Sequence, residues 1–341
     1  MKLSERKKKI LKAVVQENIK RAEPISSSEL KEKYMQDISS ATIRNELVAL
    51  EEMGFLSQPH TSSGRVPTPL AFRMYADELV GKVKPTASEL NKIKENFNKK
   101  IVDMEDFARS TAKIISSATN YASVVNMKVG DDALIETIKI IKISSSQALV
   151  VVVTDVGVIK DIIINTAKGK DEQFFDDASK FLTGIFKEKS IATLSTDELI
   201  TEKVEKFKLL FDMVVQVVSN REDESMQDLA VEGTSNLFEY PEYTSPEKAK
   251  QALKLFENKK ELYPLIKSQD GLEINIKVGG DENSNFENCS LVSATYKVNG
   301  KEVGNACVIG PVRMDYEKAI KVLKGVSESL SQCFDKGEED D

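Results

Sequence analysis

Residues 39–68 read SSATIRNELVALEEMGFLSQPHTSSGRVPT, the pattern of a helix, a short strand, a polar loop and a second strand. With Ile43 at the zero of a helical wheel, Leu47 and Leu50 fall within about 40° of it, a narrow stripe to bury. Ser40, Ala41, Thr42, Arg44, Asn45, Val48 and Ala49 lie outside that stripe. Short, lightly charged side chains on an outward face allow a helix to enter a DNA major groove roughly 12 Å wide, which an acidic or bulky face would not.

Each outward residue type has a partner in such a groove. Arg44 suits guanine O6 and N7, Asn45 suits adenine N6 and N7, and Ala41, Thr42 or Val48 suits a thymine methyl. Ser39 or Ser40 can cap the first turn, whose free amides also attract phosphate. Gly54 supplies the left-handed residue that ends the helix. Beyond it, residues 55–58 and 65–68 are short extended runs around a loop that offers His60, Thr61, Ser62, Ser63 and Arg65 to phosphates and a minor groove. Taken alone, the stretch is equally read as a solvated hairpin beside a core helix.

The preceding residues favour the DNA reading. Residues 4–19 carry Ile10, Leu11, Val14, Val15 and Ile19 at helical spacing, and Pro24 breaks the chain after them. Ser26 with Glu29 has the capping-box pattern of a second, short helix. Three helical segments before a two-stranded wing is the winged helix-turn-helix order. Thr68 is placed to cap a fourth helix with Pro69 at its first position. Residues 1–85 hold 15 Lys and Arg against 11 Asp and Glu, and the remainder holds 33 against 44. An acidic chain with a basic front does not coat DNA indiscriminately, and Lys7, Lys8 and Lys9 are candidates to steer that front toward phosphates.

KKKILKAVVQENIKRAEPISS at 7–27, the 39–68 stretch and VIGPVRMDY at 308–316 together resemble the HrcA family of heat-inducible transcription repressors. The resemblance covers everything except the acidic tail. It implies a winged helix, a GAF-like domain and a dimerising domain inserted into it. It further implies an inverted-repeat operator on double-stranded DNA upstream of chaperone operons, and dependence on the GroEL chaperonin for the active fold.

The expected class is therefore α+β: a winged helix-turn-helix at 1–80, a linker and long amphipathic helix at 81–122, a GAF-like mixed α/β domain at 123–166 and 241–334, a mainly helical insertion at 167–240, and an acidic tail at 335–341. The apolar or small residues from Leu90 to Ala118 continue for about four heptads, fitting either a dimer coiled coil or a helix packed on its own domain. Val- and Ile-rich runs at 123–129, 136–143, 148–154 and 158–164, and again at 272–278, 291–298 and 303–309, predict one mixed sheet interrupted by the insertion. In that insertion Phe207, Leu210, Phe211, Val214, Val215 and Val218 form a wide apolar band, a natural face for a partner chain in a homodimer.

Catalysis finds no motif: there is no nucleophile elbow, Walker loop or H-E-x-x-H. Cys289, Cys307 and Cys333 are isolated thiols and His60 is the single histidine, which argues against a disulfide framework, a zinc site or any cofactor. Acidic pairs at Asp131 and Asp132 and at Asp176 and Asp177 read as turn and helix surface. The KVGGDEN run at 277–283 reads as a hairpin turn before an anion site, and Arg313 as the partner of an internal carboxylate. No stretch has the length of a membrane helix, and the expected location is the cytoplasm. Two other functions remain open at this point: a metabolite-responsive repressor with an effector in the GAF-like domain, and a scaffold whose winged helix binds protein.

Overall fold

Ser4 opens α1 (Glu5–Arg21), its Oγ accepting from the Lys7 amide at 3.3 Å. Ile10, Leu11, Val14 and Val15 are buried along one side, each contributing about 1.5 to 3 kcal/mol relative to exposure. In α2 (Ser27–Tyr34) the capping box is complete: Ser26 Oγ accepts from Glu29 N, and the Glu29 carboxylate accepts from Ser26 N at 2.9 Å. The two helices are joined by a buried carboxylate. Glu17 accepts from Lys33 Nζ at 2.8 Å, Tyr34 Oη at 2.6 Å and Arg21 Nε at 3.2 Å. The Lys33 and Tyr34 hydrogen bonds pull its pKa down to about 2, because each is made to the charged form.

Next come α3 (Ser40–Glu52) and a two-stranded antiparallel ribbon, β1 (Leu56–Ser57) and β2 (Val66–Pro67). Gly54 ends α3 at φ +80°, and Phe55 N returns to Leu50 O at 3.0 Å, closing the last turn. The fourth helix, α4 (Pro69–Val80), begins on Pro69 as expected. Thr68 departs from its expected role. It stands at the cap position, but its hydroxyl donates to Gly54 O at 2.7 Å and Phe55 O at 3.1 Å, tying the ribbon's exit to the end of α3.

The structure, a computed structural model, describes residues 3–60, 63–97, 104–127, 133–155, 159–190, 202–219, 229–266, 273–280, 285–298 and 301–335. Thr61, Ser62, Asp131, Asp132, 281–283 and 336–341 among the sequence-based expectations lie outside them, as do the side chains of Val218 and Cys333. In place of one long amphipathic helix there are two, α5 (Ala87–Phe97) and α6 (Met104–Thr119). Both pack on the closing helix of this same chain, so Phe107, Ala108, Ala112 and Ile115 are buried internally.

The strands lie close to their expected places but do not form one mixed sheet. After β3 (Ala122–Met127), the strands β4 (Ile135–Lys142), β5 (Gln147–Thr154) and β6 (Ile159–Asn165) make a separate three-stranded antiparallel sheet. The helix α7 (Glu172–Phe186) runs along its β4 edge, where Ser179 Oγ accepts from Ile140 N at 2.8 Å and Thr183 Oγ1 from Ile138 N at 2.9 Å. Covering an edge in this way removes a template for strand pairing. Against α7 lies α8 (Glu202–Ser219), and its apolar band is already covered. Phe207, Leu210, Phe211, Val214 and Val215 are buried in the chain's own core, with Phe207 5.3 Å from Phe174 and Phe211 stacked 5.2 Å from Phe186, centroid to centroid.

The chain then returns as β7 (Leu229–Glu232), a strand where helix was expected, and pairs with β3. Two short 3-10 turns lead to α9 (Pro246–Glu257) and α10 (Lys259–Ile266), followed by β8 (Ile274–Val278), β9 (Cys289–Val298), β10 (Lys301–Pro311) and α11 (Tyr316–Asp335). The order β7-β3-β10-β9-β8 is antiparallel throughout. One face of this sheet packs on α6 and α11, the other on α9 and α10. Gly279 N donates to Cys289 O at 2.9 Å at the mouth of the β8–β9 hairpin.

Three cations fasten the N-terminal helices to this body. Arg313, paired with Glu242, donates Nη1 to Ile19 O near the end of α1 at 2.9 Å. Lys324 donates to Val80 O at 2.8 Å and Val83 O at 3.1 Å, at the end of α4. Arg73 donates to Ile276 O on β8. Carbonyls at helix C-termini lack intrahelical donors, so the Arg313 and Lys324 contacts satisfy groups left open at the ends of α1 and α4. Among the described residues no helix is long and apolar enough to cross a membrane.

Candidate nucleic-acid interface

The geometry of α3 begins with its cap. Ser39 Oγ accepts from Thr42 N at 3.1 Å and lies 2.8 Å from Thr42 Oγ1. Ile43, Leu47 and Leu50 are fully or almost fully buried. That burial fixes the rotation of the helix and leaves Ala41, Arg44, Asn45 and Val48 exposed in a row along it, Val48 at 39%. Ser40 and Thr42 are half-buried. Ser40 Oγ lies 3.2 Å from Ser27 Oγ, linking the first turns of α2 and α3.

The basic residues are arranged differently from a free cluster. Lys7 Nζ sits 2.6 Å from Glu46 Oε2 and Arg6 Nε 3.1 Å from Glu46 Oε1, while Lys8 pairs with Glu5 at 2.9 Å. Lys9 is exposed. Glu46 was not singled out in the sequence, although it is the one acidic residue beside the outward row before the helix's last turn. Its pairing with two cations of α1 offsets a charge that phosphates would otherwise repel, and it clamps α1 to α3.

In the ribbon, His60 is exposed and Ser63 is half-buried. Ser63 Oγ accepts from His60 N at 3.0 Å and donates to His60 O at 2.7 Å, closing the loop on itself. Arg65 is only 15% exposed, and its Nε and Nη2 each approach Glu51 Oε2 at 2.9 Å. Its backbone exchanges two hydrogen bonds with Ile25, at 3.0 and 2.9 Å. Beside it, a Cβ on Gly64 would stand 2.3 Å from Ile25 O, so only glycine permits this approach. Arg65 thus positions the ribbon against α3. Between ribbon, α3 and the start of α2 is a polar cleft of about 400 Å³ lined by Ser26, Ser27, Arg44, Gln58, Ser63 and Arg65 among others. The structure therefore brings Arg44 and the ribbon to one cleft and ties Lys7 to Glu46 on α3.

The model of the HrcA protein C terminal domain matches residues 105–320. A heat-inducible transcription repressor HrcA from Natranaerobius thermophilus is 32% identical over 341 residues, with 98% of each chain covered. The chain belongs to the HrcA family. A second HrcA, from Clostridioides difficile, is 33% identical over 334 residues, covering 96% of this chain and 98% of that one. Membership makes the chain a transcription repressor of the heat-shock response and not an enzyme. A crystal structure described as that of a hypothetical protein at 2.2 Å resolution shares the fold, with a TM-score of 0.62 at 20% identity and coverage of 98% and 99%. Among the described residues no group of three or more His, Cys, Asp or Glu side chains is placed to hold a metal ion.

Proposed function

We propose that residues 1–80 of this HrcA form a winged helix-turn-helix that binds double-stranded DNA, with α3 in the major groove and the β1–β2 ribbon as its wing. The observation that carries this reading is the exposed row Ala41, Arg44, Asn45 and Val48 on a helix whose opposite stripe is buried. Arg44 and Asn45 are the base readers; His60, Ser63 and Lys9 stand toward the backbone, and Thr61 and Ser62 belong to the same loop. Binding is to an inverted repeat, read by a homodimer whose heads are spaced by whole turns of roughly 10.5 bp.

The body, with its five-stranded sheet, is the GAF-like domain, and the insertion that dimerises runs from β4 to α8. Because the α8 band is filled by α7, the face offered to the second copy is the outer face of the β4–β6 sheet. There Ile141, Leu149 and Ile163 are in register across three strands, with Ile141 52% and Ile163 59% exposed. An antiparallel sheet facing water normally presents polar residues at such positions. Family membership supplies the further reading that activity depends on the GroEL chaperonin, and an aliphatic face exposed before dimerisation gives that dependence a physical basis.

A binding titration on the inverted-repeat operator against a scrambled duplex, at physiological salt, with and without chaperonin and ATP, tests the whole reading. Operator preference that increases with chaperonin supports both parts. Equal affinity for the two duplexes after refolding overturns the DNA assignment.

A further inference from the structure

The outward row on α3 is bordered by a carboxylate on each side. Counting about 100° per residue from Ile43, Arg44 and Glu51 fall at about 80–100°, Ala41 and Val48 at about 140–160°, Asn45 at about 200° and Glu46 at about 300°. The ribbon borders the row on the Arg44 side, where Glu51 receives Arg65. The first turn of α1 borders it on the other, where Glu46 receives both Lys7 Nζ at 2.6 Å and Arg6 Nε at 3.1 Å.

The Glu46 pairs differ from an ordinary surface contact. The Glu46 side chain is 14% exposed and that of Lys7 20%, so water and salt screen the pair poorly. The neighbouring Lys8–Glu5 pair is open, with its carboxylate 84% exposed, and such a pair is exchanged at little cost. Arg6 and Lys7 lie in the first turn of α1, at the positive pole of that helix, where cations are unfavourable. A shared carboxylate offsets this. Two cationic donors converging on one anionic group is also how Arg and Lys meet a phosphate.

We propose that Glu46 is an internal stand-in for a DNA phosphate: in the free head it occupies Arg6 and Lys7, and DNA must take them from it to use them. The inference rests on the placing of α3 in a major groove, which brings this flank to one wall of phosphates. Its consequence is a lowered affinity for every duplex, because phosphates there meet a carboxylate and two cations already engaged. Glu46 thereby sets how loosely the head holds any DNA, without reading a base.

Glu46→Gln in the full chain keeps the shape and an accepting oxygen while removing the charge. The test is its titration on the inverted-repeat operator and on the scrambled duplex, between about 50 and 200 mM salt. The variant should bind both duplexes several-fold more tightly than wild type, with a log–log salt slope steeper by about 0.9 for each cation released. Lys7→Ala should cost the Glu46→Gln chain more slope than it costs the wild-type chain, a coupling that a purely structural clamp would not produce. Unchanged or weaker binding by folded Glu46→Gln overturns the assignment and makes Glu46 a residue that aims Arg6 at DNA. Should Glu46→Gln not fold, Lys7→Ala alone decides: it should reduce the slope by less than half as much as Lys9→Ala, and an equal reduction overturns the proposal. Wild-type chain that binds neither duplex overturns the DNA reading itself, whereas operator preference in wild type with no gain in Glu46→Gln overturns this inference alone.

Discussion

The Arg313 guanidinium donates to the Ile19 carbonyl oxygen at 2.9 Å, joining residues 294 apart in sequence. Ile19 lies near the carboxyl end of α1, where carbonyls carry the negative pole of the helix, and Glu242 holds the guanidinium in place. Lys324 does the same for α4. Each head helix whose end faces the body is thus met by a cation from the last eighth of the chain. Arg313→Ala should lower stability by about 1 to 3 kcal/mol and speed amide exchange in the last turns of α1 while leaving α3 protected. Unchanged exchange in α1 would mean that apolar packing alone docks the head.

Arg65 and Glu51 should behave as a structural pair. Arg65→Ala leaves a half-buried carboxylate beside the ribbon, and the double variant with Glu51→Ala should recover part of the loss. A double-mutant cycle on unfolding free energy is expected to give a coupling of about 1 kcal/mol. Additive single effects would return Arg65 to the role of a phosphate contact.

The pH dependence of the head follows from Glu17. Its folded pKa of about 2 lies below the ordinary glutamate value of 4.5, so its contribution is fully present above about pH 4.5 and is lost as pH falls through 2. Glu17→Gln should therefore flatten the acid limb of head stability in that window and cost stability at pH 7. The readout is urea unfolding followed by exchange in α1 and α2. An acid limb identical in the variant would assign the loss to other carboxylates.

Local chemistry made the N-terminal helices legible. Ser26 with Glu29, Pro69 and Gly54 each announce a helix boundary whatever surrounds them, and the Ile43, Leu47, Leu50 stripe fixes which side of α3 is open. Partner choice at a distance was not legible. Alternation finds β4, β5 and β6 but does not say that they leave β3 to form their own sheet. A helical wheel shows that α8 must bury Phe207 and Phe211, not that α7 of the same chain supplies Phe174 and Phe186. Lys7 and Arg65 read as free cations because Glu46 and Glu51 are distant in sequence from one and a ribbon away from the other.

The proposed dimer face has its own test. Ile163→Glu on the outer side of the β4–β6 sheet puts a charge where the isoleucine is 59% exposed in one chain, so the monomer's stability should change by less than about 0.5 kcal/mol. Sedimentation at micromolar concentration should nevertheless shift from dimer to monomer. Dimerisation unaffected by this substitution would move the interface off the sheet.

On α3, the proposed recognition helix, Arg44 and Asn45 should separate sequence reading from simple attraction. Each alanine variant removes exposed atoms, so folding should be preserved. On the inverted-repeat operator each should lose about 1 to 3 kcal/mol, with specificity relaxed at the base it reads. On a scrambled duplex the loss should be much smaller, since phosphate contacts carry that affinity and its steep salt dependence. Lys9→Ala should do the reverse, weakening both duplexes alike and reducing the log–log salt slope by about 0.9. If Arg44→Ala weakened operator and scrambled DNA equally, the arginine would be a phosphate clamp in the 400 Å³ cleft beside the ribbon, and base reading would rest on Asn45 and its apolar neighbours.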